Sequence, residues 1–312
     1  MNINLKYIME RRTFLKHIGA SSLLVGMGGL GSLSMKPANT KQITILHTND
    51  VHSHIDPLPA TDPFNPNKGG VARRAALIDQ IRQENPYTLL FDAGDIFQGT
   101  PYFNFYGGEL EFKLMSMLKY DAATLGNHDF DNALEGLYAQ LPHAKFDFII
   151  SNYDFSNTIL NGHTLPYKIY YLNGIKIGVF GIGVELEGLV NKQMYGETVY
   201  LNPIEIAQDM ERKLHNEEHC DLIICLSHIG YEYKDNPNKV CDLKVAAQTS
   251  YIDLIIGGHT HTFLPKPTLV TNRREKITLV NQVGCYGINL GRIDFFFEDE
   301  KLVKNKSVSI EV

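Results

Sequence analysis

The chain has 312 residues, enough for one large domain or two small ones, and its 44% hydrophobic and 21% charged residues are typical of a globular protein. Its net charge of −6 argues against binding to a nucleic-acid polymer, because proteins of that class usually carry a basic surface. The charge does not exclude a phosphorylated small molecule, since bound metal ions can supply positive charge locally.

The first 40 residues have the layout of an export signal. Arg11 and Arg12 precede Phe-Leu-Lys, and a glycine-rich, weakly apolar run then extends to Met35. This order is typical of a signal peptide, and the arginine pair resembles the twin-arginine type. The run is too short and too rich in glycine for a transmembrane helix, and a disordered basic tail is the alternative. We predict that residues 1–40 direct the protein to the periplasm and that only this segment meets the membrane.

The first half of the remaining chain alternates between strand and helix patterns. Short apolar or β-branched runs bounded by turn residues predict strands, and apolar residues at helical spacing predict helices. The predicted strands are 42–48, 88–91, 121–125 and 146–151, and the predicted helices are 71–83, 109–118 and 132–140.

From residue 167 onward, β-hairpins join this pattern. Asn173-Gly174, the dipeptide preferred in two-residue hairpin turns, separates strand-like runs at 167–172 and 175–182. These patterns indicate an α/β (α+β) chain in which one mixed sheet or two sheets are covered by helices. The further predictions are a helix at 203–217 and strands at 222–226, 252–256, 276–283, 292–297 and 302–308.

The four cysteines form no recognisable metal-binding pattern. Cys225 lies in an apolar run, which indicates a buried thiol. Cys220 and Cys241 could form a disulfide in an oxidising compartment, and the sequence leaves this question open.

Five polar clusters each follow a predicted strand. Taken singly, most of them have a structural explanation, as a capped turn or a buried histidine. Their coincidence favours a shared site, because the carboxyl ends of neighbouring parallel strands meet at one edge of a sheet. The clusters are Asp50-Val51-His52, Gly94-Asp95, Gly126-Asn127-His128, His228 and Gly258-His259-Thr260-His261.

The residue types in these clusters predict a pair of metal ions. Carboxylate, imidazole and amide groups without cysteine suit two divalent ions drawn from Mn, Zn, Fe, Co or Mg, and do not suit a closed structural zinc site. Two such ions can clamp a phosphoryl group and turn a bound water into a hydroxide nucleophile.

The complete set of motifs resembles that of the calcineurin-like metallophosphoesterases. The segments Ile45–His52 and Gly126–Asp131 are similar to those of the 5′-nucleotidase and 2′,3′-cyclic phosphodiesterase branch. The resemblance covers residues 42–300 and implies a four-layer αββα sandwich with two mixed β-sheets, which would occupy residues 41–312.

The resemblance also implies seven metal ligands, matched by their positions in the motifs. Asp95 would bridge the two ions. His261 stands where many bacterial nucleotidases have Gln, a change that keeps a ligand but can shift the metal preference. One ion would be held by Asp50, His52 and His261, and the other by Asn127, His228 and His259.

Two further residues are implied to act on the substrate. His128 would stabilise charge on the phosphate or protonate the leaving group, and Asp131 would orient the imidazole of His128. We expect His54 and Asp129 to be solvated or to lie behind the ligands.

These expectations describe an exported phosphoesterase with two metals that hydrolyses 5′-nucleotides or related phosphomonoesters through a metal-bound hydroxide. Family nucleotidases carry a further C-terminal nucleoside-binding domain, which we expect to be absent because the chain stops at Val312. The alternatives are a 2′,3′-cyclic-nucleotide phosphodiesterase and a metal-holding subunit that needs a separately encoded nucleoside-binding partner. A substitute stacking surface is less favoured than core or loop packing for four aromatic residues, Tyr102, Phe103, Phe105 and Tyr106.

Overall fold

Two six-stranded β-sheets organise residues 40–312, which are the residues that the computed structural model describes. The strands follow from β-branched and aromatic runs that alternate with polar turns. In chain order they are β1 (Lys41–Thr48), β2 (Thr88–Asp92), β3 (Ala122–Ala123), β4 (Asp147–Phe148), β5 (Tyr153–Asp154), β6 (Tyr167–Leu172), β7 (Ile175–Gly183), β8 (Val199–Tyr200), β9 (Leu222–His228), β10 (Leu254–Gly257), β11 (Thr268–Thr271), β12 (Ile277–Asn281), β13 (Asn289–Glu298) and β14 (Lys301–Glu311).

The helices connect the strands and cover the sheets. In chain order they are α1 (Val71–Glu84), α2 (Pro101–Tyr106), α3 (Glu109–Met117), α4 (Ala133–Gln140), α5 (Lys192–Tyr195), α6 (Pro203–Arg212) and α7 (Asp242–Gln248). Single 3-10 turns occur at His128–Phe130 and Leu141–His143, and a π-helical turn at Lys213–Glu217 follows α6.

Both sheets are mixed, with parallel strands at their centres. The first sheet has the order β14-β13-β1-β2-β3-β4, in which β1 to β4 run parallel, β13 is antiparallel to β1, and β14 is antiparallel to β13. The second has the order β11-β12-β10-β9-β7-β6, with antiparallel strands at its two edges. Parallel central strands bring their carboxyl ends to one edge of each sheet.

Three hydrophobic clusters define four layers. The middle cluster joins inward-facing residues of the two sheets, such as Ile45 of β1 and Ile224 of β9. A second cluster packs α1, α3 and α4 on the outer face of the first sheet, and a third packs α6 and α7 on the second sheet. The arrangement is an αββα sandwich, which confirms the expected fold class and decides between one sheet and two.

Most of the predicted elements are present, and the hairpin at Asn173-Gly174 is confirmed, with Leu172 opposite Ile175. The third and fourth predicted strands are much shorter than expected. The backbone N–H groups of Ile150 and Ser151 donate to the carbonyl oxygens of Leu165 and Gly181, so the chain leaves the first sheet early. The predicted helix 203–217 is α-helical only to Arg212. The elements that the sequence does not predict are α2, α5, α7, β5, β8 and β11.

The predicted export signal lies outside the described residues, apart from Thr40, and stays a prediction. Among residues 40–312, no helix combines the length and the apolar composition that a transmembrane span requires. All four cysteines are buried and unpaired, so Cys220 and Cys241 do not form a disulfide in this structure.

Candidate functional site

The five polar clusters predicted from the sequence meet at one edge of the sandwich. The loop after β1 carries Asp50 and His52, and the loop after β2 carries Asp95. Asn127 and His128 follow β3. The second sheet supplies the remaining residues, which are His228 at the end of β9 and His259 and His261 after β10.

A first group of potential metal ligands consists of Asp50, His52 and His261. Their ligand atoms all lie within 4.8 Å of one another. Nε2 of His261 is 3.2 Å from Oδ1 of Asp50 and 3.0 Å from Nε2 of His52. Asp50 is fully buried, and its carboxylate accepts hydrogen bonds from the backbone N–H of His259 and from the side-chain amide of Asn49.

A second group consists of Asp95, His228 and His259, whose ligand atoms also lie within 4.8 Å of one another. Nε2 of His228 is 3.0 Å from Oδ2 of Asp95. Asn127 joins this group, because its Oδ1 is 2.8 Å from Nδ1 of His259. Asp95 also lies 3.8 Å from Nε2 of His52, which places its carboxylate between the two groups.

The histidine orientations fit metal ligation. Nδ1 of His52 lies 3.2 Å from the carbonyl oxygen of Phe97, and Nδ1 of His228 lies 2.6 Å from that of Ala93. A carbonyl oxygen only accepts, so each Nδ1 carries a proton and each Nε2 can offer a lone pair to a metal. Nε2 of His228 is buried and makes no hydrogen bond of acceptable geometry within the described residues.

The carboxylates make the site attractive to cations. Burial lowers the pKa of His228, but the neighbouring charges of Asp95 and Asp50 outweigh this effect and raise the pKa to about 10. A hydrogen bond with Asp50 raises the pKa of His261 to about 10. Burial, followed by the charge of His228, lowers the pKa of His259 to about 4. A divalent cation meets the same demand for positive charge and leaves the imidazoles neutral.

Five of the seven predicted ligands have left-handed backbone conformations, which are uncommon outside glycine. Such conformations are costly and persist where the surrounding structure enforces them, often at functional sites. Their φ angles lie between 50° and 73°, and the residues are Asp50, His52, Asp95, His259 and His261.

His128 lies beside the two groups with its partner Asp131. Its ring centroid is 5.3 Å from that of His52, and its Nδ1 is 2.9 Å from Oδ2 of Asp131. The hydrogen bond with Asp131 raises the pKa of His128. Both side chains are about one-third exposed, at 37% and 31%, so Nε2 of His128 can reach a bound molecule.

Sequence reasoning gave no definite role to Asp129 and His54. Asp129 is buried, and its carboxylate accepts hydrogen bonds from backbone N–H groups in two different loops. Nδ1 of His54 is 2.8 Å from the carbonyl oxygen of His52, and its ring packs against Tyr286 with centroids 4.1 Å apart.

Tyr286 was not identified from the sequence. Its ring centroid lies 6.0 Å from that of His52 and 5.9 Å from that of His261. Its backbone N–H donates to the carbonyl oxygen of Asp50 at 2.8 Å, and its φ of 61° is left-handed. The only signal in the sequence is its position between Gly284 and Gly287, which indicates a turn.

The four aromatic residues considered as a stacking surface divide into two pairs. Phe103 packs on Phe97 with centroids 5.2 Å apart, and the hydroxyl of Tyr102 donates to Asp56. Phe105 and Tyr106 are 83% and 52% exposed. Contacts with neighbouring side chains therefore account for Phe103 and Tyr102 only.

The sequence of the chain matches those of known phosphoesterases and nucleotidases. The chain is 32% identical over 303 residues to the trifunctional nucleotide phosphoesterase protein YfkN of Bacillus subtilis, a match that covers 86% of this chain and 19% of that protein. It is 34% identical over 284 residues to the snake venom 5′-nucleotidase of Crotalus adamanteus, covering 84% of this chain and 46% of that protein.

The fold of the chain also matches a solved nucleotidase structure. The 5′-nucleotidase precursor from Thermus thermophilus superposes with a TM-score of 0.79 at 32% identity, over 87% of this chain and 55% of that chain. The chain spans about half the length, or less, of the curated relatives it matches. The family model for calcineurin-like phosphoesterases matches residues 43–263, including all seven predicted ligands. The chain belongs to the calcineurin-like phosphoesterase family of metal-dependent phosphoester hydrolases.

Proposed function

We propose that this protein hydrolyses 5′-nucleotides or related phosphomonoesters with the help of two divalent metal ions. The observation that carries the proposal is the pair of adjoining ligand groups, with Asp95 between them and His128 at their side. Phosphate esters are the substrates of the family, and the relatives with matching sequences are named as nucleotide phosphoesterases and 5′-nucleotidases.

Seven side chains would hold the two ions. When bound, the ions would neutralise phosphate charge and lower the pKa of an attacking water. Asp95 would contribute to both sites because its carboxylate faces His52 on one side and His228 on the other. The first site would be completed by Asp50, His52 and His261, and the second by Asn127, His228 and His259.

His128 would act on the substrate itself. Asp131 accepts the hydrogen bond of Nδ1 and fixes the ring, which leaves Nε2 to contact a phosphate oxygen or to give a proton to the leaving group. The backbone N–H of His128 donates to Oδ1 of Asp95 at 2.8 Å, so the catalytic imidazole and the shared carboxylate are positioned together.

Export to the periplasm by the twin-arginine route is part of this proposal. Its support is the sequence of residues 1–40, with Arg11 and Arg12 before the apolar run. Replacing both arginines with Lys should keep the protein in the cytoplasm on cell fractionation, and unchanged export would contradict this route.

A substrate panel tests the proposed activity. The full chain is stripped of metal, reloaded in turn with Mn²⁺, Zn²⁺, Fe²⁺, Co²⁺ or Mg²⁺, and assayed with AMP, 2′,3′-cyclic AMP, a UDP-sugar and p-nitrophenyl phosphate. We expect two metal equivalents by elemental analysis and the highest kcat/KM with AMP. Preference for the cyclic nucleotide would favour the phosphodiesterase alternative. Two bound metals without turnover of any substrate would contradict the proposal and favour a subunit that needs a partner.

Two variants test the assigned residues in the same assay. His128→Asn should lower kcat by about 10²–10⁴-fold, the usual contribution of general acid–base catalysis, without loss of metal. Asp95→Asn should lose both activity and metal. His163→Asn, which changes an exposed histidine outside the ligand groups, is the matched control and should behave like the parent chain. Normal activity in the first two variants would exclude the proposed mechanism.

A further inference from the structure

A small cavity lies between α1, α3 and the loop that follows β1. Its lining includes Ser53, Arg74, Asp92, Glu111 and Tyr120. The space open to the centre of a water molecule is about 20 Å³. A volume of roughly 10–15 Å³, measured in this way, is enough to hold one water molecule.

Three polar side chains of this cavity lack hydrogen-bond partners of acceptable geometry within residues 40–312. The atoms concerned are Oγ of Ser53, Nε and Nη1 of Arg74, and both carboxylate oxygens of Glu111. Ser53 is fully buried, and Arg74 and Glu111 are each only 3% exposed. Burial raises the pKa of Glu111, and Asp92 is a charged neighbour of Arg74. Burial of a guanidinium and a carboxyl group without hydrogen bonds is unfavourable, so these groups favour a polar molecule between them.

The cavity adjoins the segments that carry the ligands of the first metal group. Ser53 follows His52 directly, and its backbone N–H donates to the carbonyl oxygen of Ile96, next to Asp95. Asp92, on another wall, accepts from the hydroxyl of Thr48 and from the backbone N–H of Gly94.

Arg74 also touches the loop between β12 and β13. Its Nη1 occupies the space that a Cβ atom would need at Gly287. Gly287 is joined to Tyr286, whose backbone N–H donates to the carbonyl oxygen of Asp50 at 2.8 Å. The guanidinium of Arg74 therefore lies near three loops, those that follow β1, β2 and β12.

We propose that ordered water in this cavity bridges the guanidinium of Arg74 to the carboxylate of Glu111 and the hydroxyl of Ser53, and that Arg74 and Glu111 thereby position Asp50 and His52 for metal binding. Water is the occupant that fits, because it can both donate to the carboxylate and accept from the guanidinium. The positioning role rests on the proposed function, since it assumes that the first group binds a metal.

A high-resolution crystal structure of the full chain tests the water site. We expect at least one ordered water within hydrogen-bond distance of both Arg74 and Glu111. An empty cavity, or a direct Arg74–Glu111 salt bridge, would overturn the assignment.

Four variants test the positioning role: Arg74→Met, Glu111→Leu, the double variant, and Arg82→Met as control. Arg82 lies two turns further along α1 and does not itself line the cavity; it donates to the carbonyl oxygens of Leu118, which does line the cavity, and of Lys119. Each metal-stripped chain is titrated with Mn²⁺ by calorimetry, and its Tm is measured.

We expect each single cavity variant to lower the Tm, because one buried group loses its water-mediated partner, and the double variant to recover part of the loss, since Asp92 also faces Arg74. All three should bind Mn²⁺ about tenfold more weakly at one of two sites, the usual effect of changing a residue behind a ligand. Arg82→Met should lower only the Tm. A double variant with both Mn²⁺ affinities intact would show that the pair is merely structural.

The titration separates this inference from the proposed function. If the parent chain binds no Mn²⁺, Zn²⁺ or other divalent ion, the proposed function fails and the positioning role fails with it. If the parent chain binds two ions and the double variant binds them equally well, the positioning role alone is overturned. Glu111→Gln, which keeps hydrogen bonds to water, should retain most of the parent affinity.

Discussion

One carboxylate, that of Asp129, joins the loops that carry Asp95 and Asn127. It accepts hydrogen bonds from the backbone N–H groups of Gly126 at 2.8 Å and Asp95 at 3.0 Å. Two more come from Ile96 at 2.9 Å and Phe97 at 3.2 Å. Four backbone donors are thus satisfied by a side chain that is 1% exposed. Asp129 fixes the spacing of two predicted ligands without facing a metal itself.

Asp129→Asn should therefore weaken the fold as well as the site. An amide offers only one acceptor oxygen, and its NH₂ group would face backbone donors, so we expect a loss of about 1–3 kcal/mol in the free energy of unfolding. Urea unfolding of the metal-stripped chain measures this loss. Asp154→Asn is the matched control, because Asp154 is exposed and caps only the N–H of Ser156. Equal stability of the two variants would exclude the bridging role.

At the residue scale, the sequence predicts side chains whose chemistry is local and fails for those whose partners are distant. Asn127 and His128 are recognisable because they follow an apolar run in a known motif. Asp129 lies in the same motif, but its partners Ile96 and Phe97 are more than 30 residues away. Tyr286 reaches the site through a loop that has no motif of its own.

At the scale of elements, the site depends on how closely the loops after the strands approach one another. Gly258, after β10, lies where the loops that follow β1 and β2 cross the end of β9. A Cβ atom there would lie 2.7 Å from Nδ1 of His228, 2.9 Å from the carbonyl oxygen of Ala93 and 3.1 Å from Oδ2 of Asp50. No larger residue fits without moving a predicted ligand.

We expect Gly258→Ala to reduce metal binding while the chain still folds. The added methyl group would push His228 or Asp50 aside, and a displaced ligand costs about 10–100-fold in affinity. Calorimetric titration with Mn²⁺ measures the effect. Gly188→Asn is the control, since nothing lies within 4 Å of its Cβ position and Asn tolerates its φ of 81°. Unaltered affinity in Gly258→Ala would mean that the loops have room to separate.

Element prediction succeeds where a local signal is strong. The Asn-Gly turn identifies the β6–β7 hairpin, and the apolar run Leu222–Leu226 identifies β9. The short helix α2 was missed because it has six residues, four of them aromatic, with glycines on both sides. The early ends of β3 and β4 depend on hydrogen bonds to residues far along the chain, such as that of Ser151 with Gly181.

At the scale of the whole molecule, His47 connects the two sheets. It lies on β1, fully buried, and the amide of Asn281 on β12 is 2.9 Å from its Nε2. Burial lowers the pKa of His47 to about 3. The imidazole therefore stays neutral between the two sheets, where water could not solvate a charged ring.

His47 should make the fold sensitive to acid. Its pKa in the unfolded chain is near 6.5, so between about pH 6.5 and 3 the unfolded chain binds a proton that the folded chain does not. The contribution of His47 to stability is complete above pH 6.5 and is lost as the pH drops, by about 2 kcal/mol at pH 5. Urea unfolding of metal-stripped chains at pH 7.5 and 5 should show a smaller decrease for His47→Gln. His163→Gln, at an exposed position, should match the parent, and an equal decrease in His47→Gln would contradict this account.

The four-layer architecture was predicted from the family resemblance, since the patterns alone allowed one sheet or two. No local pattern states that β13 pairs with β1, because Phe297 and Lys41 are far apart in the chain. Likewise, β12 lies beside β10 only because both fit the same core. Such pairings depend on long-range packing, which a single sequence does not display.

Each candidate metal group takes ligands from both sheets. Asp50 and His52 come from the first sheet and His261 from the second, while Asp95 and Asn127 from the first meet His228 and His259 from the second. A folding intermediate with only one sheet would offer an incomplete coordination set for either ion. High-affinity metal binding would therefore show that the two sheets have docked. Bound ions would also stabilise the native state against separation of the two sheets, because they bind only the folded protein.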